Sequence, residues 1–144
     1  MTTTADREII STRVIGVPRE RVWEAFADPK RLAQWWGPKG FTNTFQEFDF
    51  KPGGYWRFVM RGSNGTDHPN ESCFVEVVKP ERIIFDHLSD PKFRMTMTFA
   101  EEAGKTRLTW QGLFESVAEY DRVKKFAAKA NEQNFDRLEA LLTR

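Results

Sequence analysis

Between residues 93 and 99 the chain alternates without a break. Phe93, Met95, Met97 and Phe99 are apolar, and Arg94, Thr96 and Thr98 between them are polar. Only an extended strand sends every second side chain to one face, so this segment is a strand of an antiparallel sheet, covered on one side and wet on the other. The same period of two predicts strands over residues 41–50, 55–61, 73–78, 82–88 and 106–111, and β-branched residues predict one over 7–16. Turn chemistry separates them: Lys51-Pro52-Gly53-Gly54, Ser63-Asn64-Gly65, Lys79-Pro80-Glu81, Ser89-Asp90-Pro91 and Ala103-Gly104. Asn and Gly in the second of these tolerate the positive φ of a hairpin turn.

The period changes twice. Val22, Ala25 and Phe26 fall at helical spacing, so residues 18–27 form a short helix. Asp28-Pro29 restarts the chain as N-cap and first helical residue of a second one, which runs to about Gln34 before Gly37-Pro38 stops it. Ser116 and Glu119 have the spacing of a capping box. Beyond them Val123, Ala127, Ala130, Asn134, Leu138 and Leu141 keep one helical face to the end of the chain. Strands segregated from a long terminal helix predict an α+β fold. Its sheet has seven antiparallel strands and curls, the C-terminal helix covers the concave face, and two short helices lie between the first two strands.

The 144 residues suit a single domain, residues 1–144 with a core over about 7–142. Thirteen Phe, five Trp and two Tyr supply an interior built largely from rings. A net charge of +1 argues against nucleic acid and anionic membrane as partners, which need clustered cations. The lysines and arginines of residues 122–129 alternate with Glu119, Asp121 and Glu132, the pattern of a solvated helix face. One cysteine, Cys73, allows no internal disulfide, and with two histidines it makes a zinc site improbable. No cofactor motif is present: there is no GxGxxG, P-loop or GxSxG. No uncharged stretch approaches the roughly 18 residues of a membrane span. The N-terminal residues lack the cationic and apolar regions of a signal peptide, so a cytoplasmic location is expected.

Several segments resemble one superfamily. They are Pro18…Val22-Trp23, Asp28-Pro29…Leu32…Trp35-Trp36-Gly37, Asp49…Pro52-Gly53-Gly54…Trp56, Gly62…Gly65, Val77…Pro80-Glu81-Arg82-Ile83 and Thr106-Arg107-Leu108-Thr109. In this order, across roughly residues 10–142, they resemble the START-like and birch-pollen-allergen-like helix-grip domains (SRPBCC). The likeness is greatest to the branch named after the activator of the heat-shock-protein-90 ATPase. The resemblance implies a curved sheet gripping the long C-terminal helix, with an apolar cavity between them. The chain departs from the pattern at Ser72, where such chains often carry Gly, and at Ala130-Asn131, where they often carry Gly-Trp.

If the helix stands off the sheet, the inward-facing residues become pocket wall. The candidates are Trp36, Trp56, Phe58, Met60, Phe74, Met95, Met97 and Trp110, with His87 and Asn134 as polar anchors. Trp35 and Trp36 either plug one end of the core or place a ring at the cavity mouth. His87 shares a strand face with Ile83 and Phe85, and is either a hydrogen-bonded core histidine or a base inside the cavity. Asn134 interrupts the apolar stripe, as a ligand contact or as a partner of a sheet residue or buried water.

Three functions follow in order. The first is a monomeric or homodimeric binding module for a small hydrophobic or aromatic molecule, without a cofactor. The second is an enzyme of cyclase, aromatase or hydrolase type, with His87, Glu76 and Arg57 as its acid–base groups. The third is a co-chaperone-like interaction domain, placed last because the full activator has an additional N-terminal domain.

Overall fold

The structure, a computed structural model, describes residues 5–143. After a single 3-10 turn, β1 (Glu8–Ile15) leads through α1 (Arg19–Ala27) and α2 (Pro29–Trp35) into a run of six strands. These are β2 (Thr42–Phe48), β3 (Tyr55–Arg61), β4 (Asp67–Val78), β5 (Arg82–His87), β6 (Phe93–Glu102) and β7 (Lys105–Phe114). The long α3 (Val117–Leu142) closes the fold. One sheet holds all seven strands in the order β1-β7-β6-β5-β4-β3-β2, with every neighbouring pair antiparallel. This is the α+β helix-grip architecture that the sequence predicts.

The local signals act as expected. Lys30 N–H donates to Asp28 Oδ1 at 3.0 Å, and Pro29 opens α2. Glu119 N–H donates to Ser116 Oγ at 3.2 Å at the start of α3. The Glu119 carboxylate pairs with Arg122, so the cap is one-sided. Pro18 is the N-cap of α1 rather than its first helical residue.

Two strands outrun their sequence signals. β4 begins at Asp67, six residues before the alternation becomes legible, and includes Pro69. Residues 67–71 pair with β3 alone, and proline is tolerated where a strand has one neighbour. β7 runs on to Phe114, which pairs with Phe93.

Register shifts at Phe45/Glu47 and Phe74/Glu76 bend the sheet, since a bulge adds local twist. At the turn before β3, a Cβ on Gly54 would lie 2.0 Å from the Asp49 carbonyl oxygen, so only glycine fits there.

The core fills the space between the concave face, α1, α2 and the second half of α3. Phe26 meets Trp35 at 4.8 Å and Phe99 at 5.0 Å, both edge-on. Trp35 is fully buried, and its indole N–H donates to the Ala25 carbonyl at 2.9 Å. It therefore plugs the core. In α3, Phe135, Leu138 and Leu142 are buried, and Phe135 meets Trp110 edge-on at 4.8 Å. Arg13 of β1 clamps this half of the helix from outside. It bonds Asp136 at 2.6 Å and Glu132 at 2.9 Å, and lies over the Phe135 ring.

Candidate functional site

Ahead of Asn134 the packing changes. None of residues 117–133 of α3 is fully buried. Val123, Ala127 and Ala130 carry the inward stripe here, and two of these three are alanines. On the facing sheet, the inward row of β7 drops to Gly112 between Trp110 and Phe114. Small groups on both walls leave the space between the surfaces unfilled, and a cavity of about 330 Å3 lies there. It opens to solvent beside Phe126, which is 66 % exposed.

The structure brings Trp36, Trp56, Phe58, Met60, Met95 and Trp110 to this cavity, together with His87 and Asn134. It does not bring Phe74 or Met97. Both are buried in the ring-packed core and border only a gap of about 10 Å3, room for one water at most. Alternation puts them on the right face, but they sit beneath α2 and the β2–β3 turn rather than beneath the open half of α3.

Trp36 lines the cavity, whereas Trp35 plugs the core. Trp36 lies 5.0 Å from Trp56 and 5.3 Å from Trp110, centroid to centroid, so three indoles meet at one end of the cavity. The loop that carries it is pinned from α3. Arg137 donates to the carbonyls of Gln34, Trp36, Gly37 and Pro38 at 2.9–3.2 Å. Burial without a carboxylate partner lowers the pKa of this guanidinium. Gly37 N–H donates to Asn134 Oδ1 at 2.7 Å, and Asn134 Nδ2 donates to the Ala130 carbonyl at 2.9 Å. Asn134 thus serves a loop residue rather than a sheet residue. Gly37 adopts φ +99°, and a Cβ there would meet Met60 Cε at 2.5 Å, so the loop demands glycine at this point.

His87 lines the opposite wall, stacked on Phe93 at 4.8 Å. Its Nδ1 is 2.8 Å from the Pro91 carbonyl and its Nε2 is 2.8 Å from Asn70 Oδ1. Asn70 Nδ2 donates to the His68 carbonyl at 2.8 Å, which turns the amide oxygen toward the imidazole. Burial pushes the His87 pKa below its usual value. The contacts with Pro91 and Ser89 and the charge of Asp90 oppose that shift without overcoming it. A neutral imidazole carries one N–H, so His87 donates to only one of these two oxygens at a time, and its ring is held in the wall between them.

Glu76 and Arg57 lie elsewhere. Arg57 pairs with Glu47 and Glu71, and Glu76 pairs with Arg82, all on the sheet's outer, wet face. Among the described residues, those lining the cavity include no Asp, Glu, Lys, Arg or Cys.

Sequence reasoning missed Asn70, Ser72, Gly112 and Phe114 as lining residues. The signal was present for β7, where the inward positions 106, 108, 110, 112 and 114 continue one alternation. For Asn70 and Ser72 it was masked by the polar composition of early β4.

A sheet curled around a terminal helix, with an apolar space left between them, defines the helix-grip class. The family described as "Activator of Hsp90 ATPase homolog 1-like protein" matches residues 16–143, and the chain belongs to it. No functionally curated protein matches the sequence. Solved structures with the same fold include a Chromobacterium violaceum protein, 28% identical, with a TM-score of 0.82 over 93% of this chain and 96% of that one. A Nitrosomonas europaea protein is 23% identical, with a TM-score of 0.88 over 96% and 95% of the two chains. An Arthrobacter aurescens protein is 21% identical, with a TM-score of 0.90 over 99% and 90%. No helix among the described residues is long and apolar enough to cross a membrane.

Proposed function

We propose that this protein binds a small apolar, ring-bearing molecule between its sheet and the first half of α3. The observation that carries the reading is the cavity of about 330 Å3, walled by aromatic rings and methionines and free of charged side chains among its described lining residues. Its size falls at the low end of the ~300–1,000 Å3 of small-molecule sites. Because the cavity opens to solvent, a ligand that seats on its apolar walls displaces water from them, a gain of roughly 25 cal/mol per Å2 of apolar surface buried, and this is the driving force for binding. Catalysis has less support, because His87 is the one ionisable side chain among the described lining residues, with no carboxylate, lysine or cysteine beside it in the wall.

Three indoles at the cavity supply the assay. Titration with a neutral bicyclic or tricyclic aromatic is expected to change tryptophan emission along a saturable curve with one molecule bound per chain. A linear, non-saturating response from folded protein would overturn the reading.

A further inference from the structure

Most polar groups around the cavity are matched inside the protein. Asn134 is bonded to Gly37 and Ala130, Asn70 to His68 and His87, and Asn131 Nδ2 donates to Ser11 Oγ at 3.2 Å. Three buried atoms of lining residues are not: Trp56 Nε1, Ser72 Oγ and Trp110 Nε1 have no hydrogen-bond partner among the described residues. Their residues are only 1–2 % exposed. A buried donor without an acceptor costs about 1–3 kcal/mol, so three around one cavity are not a neutral feature.

Their chemistry has a direction. An indole N–H can donate and cannot accept, and a serine hydroxyl can donate. Trp56 and Ser72 are directly opposite one another on β3 and β4, with both side chains on the concave face. Directly opposite side chains stand about 5 Å apart at Cβ, so the two residues share one stretch of the cavity wall. Trp110 adds a third donor. Trp36, half-buried, packs against both Trp56 and Trp110.

We infer that the ligand of this cavity is an uncharged apolar molecule bearing a carbonyl-type acceptor oxygen, received by the Trp56 indole N–H and the Ser72 hydroxyl. The inference rests on the binding function proposed above and adds the chemical class. Absence of charge follows from the walls: no cation lines the described cavity to balance a carboxylate or phosphate, and desolvating an unpaired ion is prohibitive. Burial disfavours the charged form of His87.

The test compares 9-fluorenone with fluorene, two tricyclic molecules that differ by a carbonyl in place of a methylene. Titration calorimetry on the wild-type protein is expected to show the ketone bound about tenfold more tightly. The infrared stretch of the bound carbonyl should lie below its frequency in hydrocarbon solvent. Trp56→Phe keeps a ring but removes the donor, and Ser72→Ala removes the hydroxyl with little change in volume. Either variant should lose most of the preference for the ketone while still binding fluorene. If fluorene binds as well as or better than fluorenone, or if both variants keep the preference, the donors are served by water or ring faces and the acceptor class is wrong, while the binding function stands. If neither compound binds folded protein, both the inference and the binding function fall.

Discussion

Asn134 sits on the apolar stripe of α3, where a polar side chain is conspicuous in the sequence. Its partner is not legible there, because Gly37 N–H lies 97 residues away and meets it only after the sheet has curled. Truncation by Asn134→Ala leaves that buried N–H unmatched. The expected cost is about 1–3 kcal/mol in urea unfolding, and a change within experimental error would remove Asn134 from the loop's support. His87 was legible as an inward strand residue. That Asn70 and Pro91 occupy its two nitrogens was not, since both lie in segments read as turn or loop. Its lowered pKa has a thermodynamic consequence. The unfolded chain takes up the proton more readily than the folded one, so this contribution to stability is complete above about pH 6.5 and is lost as pH falls below it, toward the folded-state value. Thermal midpoints between pH 7.5 and 5.5 should therefore fall more steeply for the wild type than for His87→Gln. Parallel slopes would contradict the assignment.

At the scale of elements, the decisive one is α3. Its capping serine, its length and its inward stripe were all readable. What periodicity does not report is whether a stripe of given spacing is packed. The second half ends in Phe135, Leu138 and Leu142, large enough to reach the sheet, and Arg13 clamps it from outside. The first half presents Val123, Ala127 and Ala130 over Gly112, and these do not reach. One helix thus has an anchored half and a covering half. Local stability follows buried contacts, so amide hydrogens over residues 120–131 should exchange faster than those over 134–142 by hydrogen-exchange mass spectrometry. Uniform protection along α3 would show a helix packed throughout. The early start of β4 belongs to the same scale. Its polar opening residues conceal a strand that pairing with β3 makes obligatory, and with it the cavity residues Asn70 and Ser72.

Over the whole molecule, the α+β class, the seven strands and the gripping helix were legible because each rests on a local period or turn. The cavity's position was not, because it depends on which large and small side chains face each other across the interior. Phe74 and Met97 illustrate this, sharing the face of the cavity residues yet lying in packed core. On the proposed function, the space under the first half of α3 is a working site. Ala127 is the residue to change. Leucine keeps high helix propensity and projects into the space, so Ala127→Leu should fill it and stabilise the protein by about 0.5–2 kcal/mol. The most direct measurement is a thermal-shift panel of neutral polycyclic aromatics, flavonoids and sterols, run on the wild type and Ala127→Leu side by side. A ligand present at 100 times its Kd adds about 2.7 kcal/mol, several degrees for a domain of this size. Such a rise is expected for at least one of these compounds with the wild type, and its loss in the variant. An absent rise in folded wild type, or an equal rise in both proteins, would contradict that function.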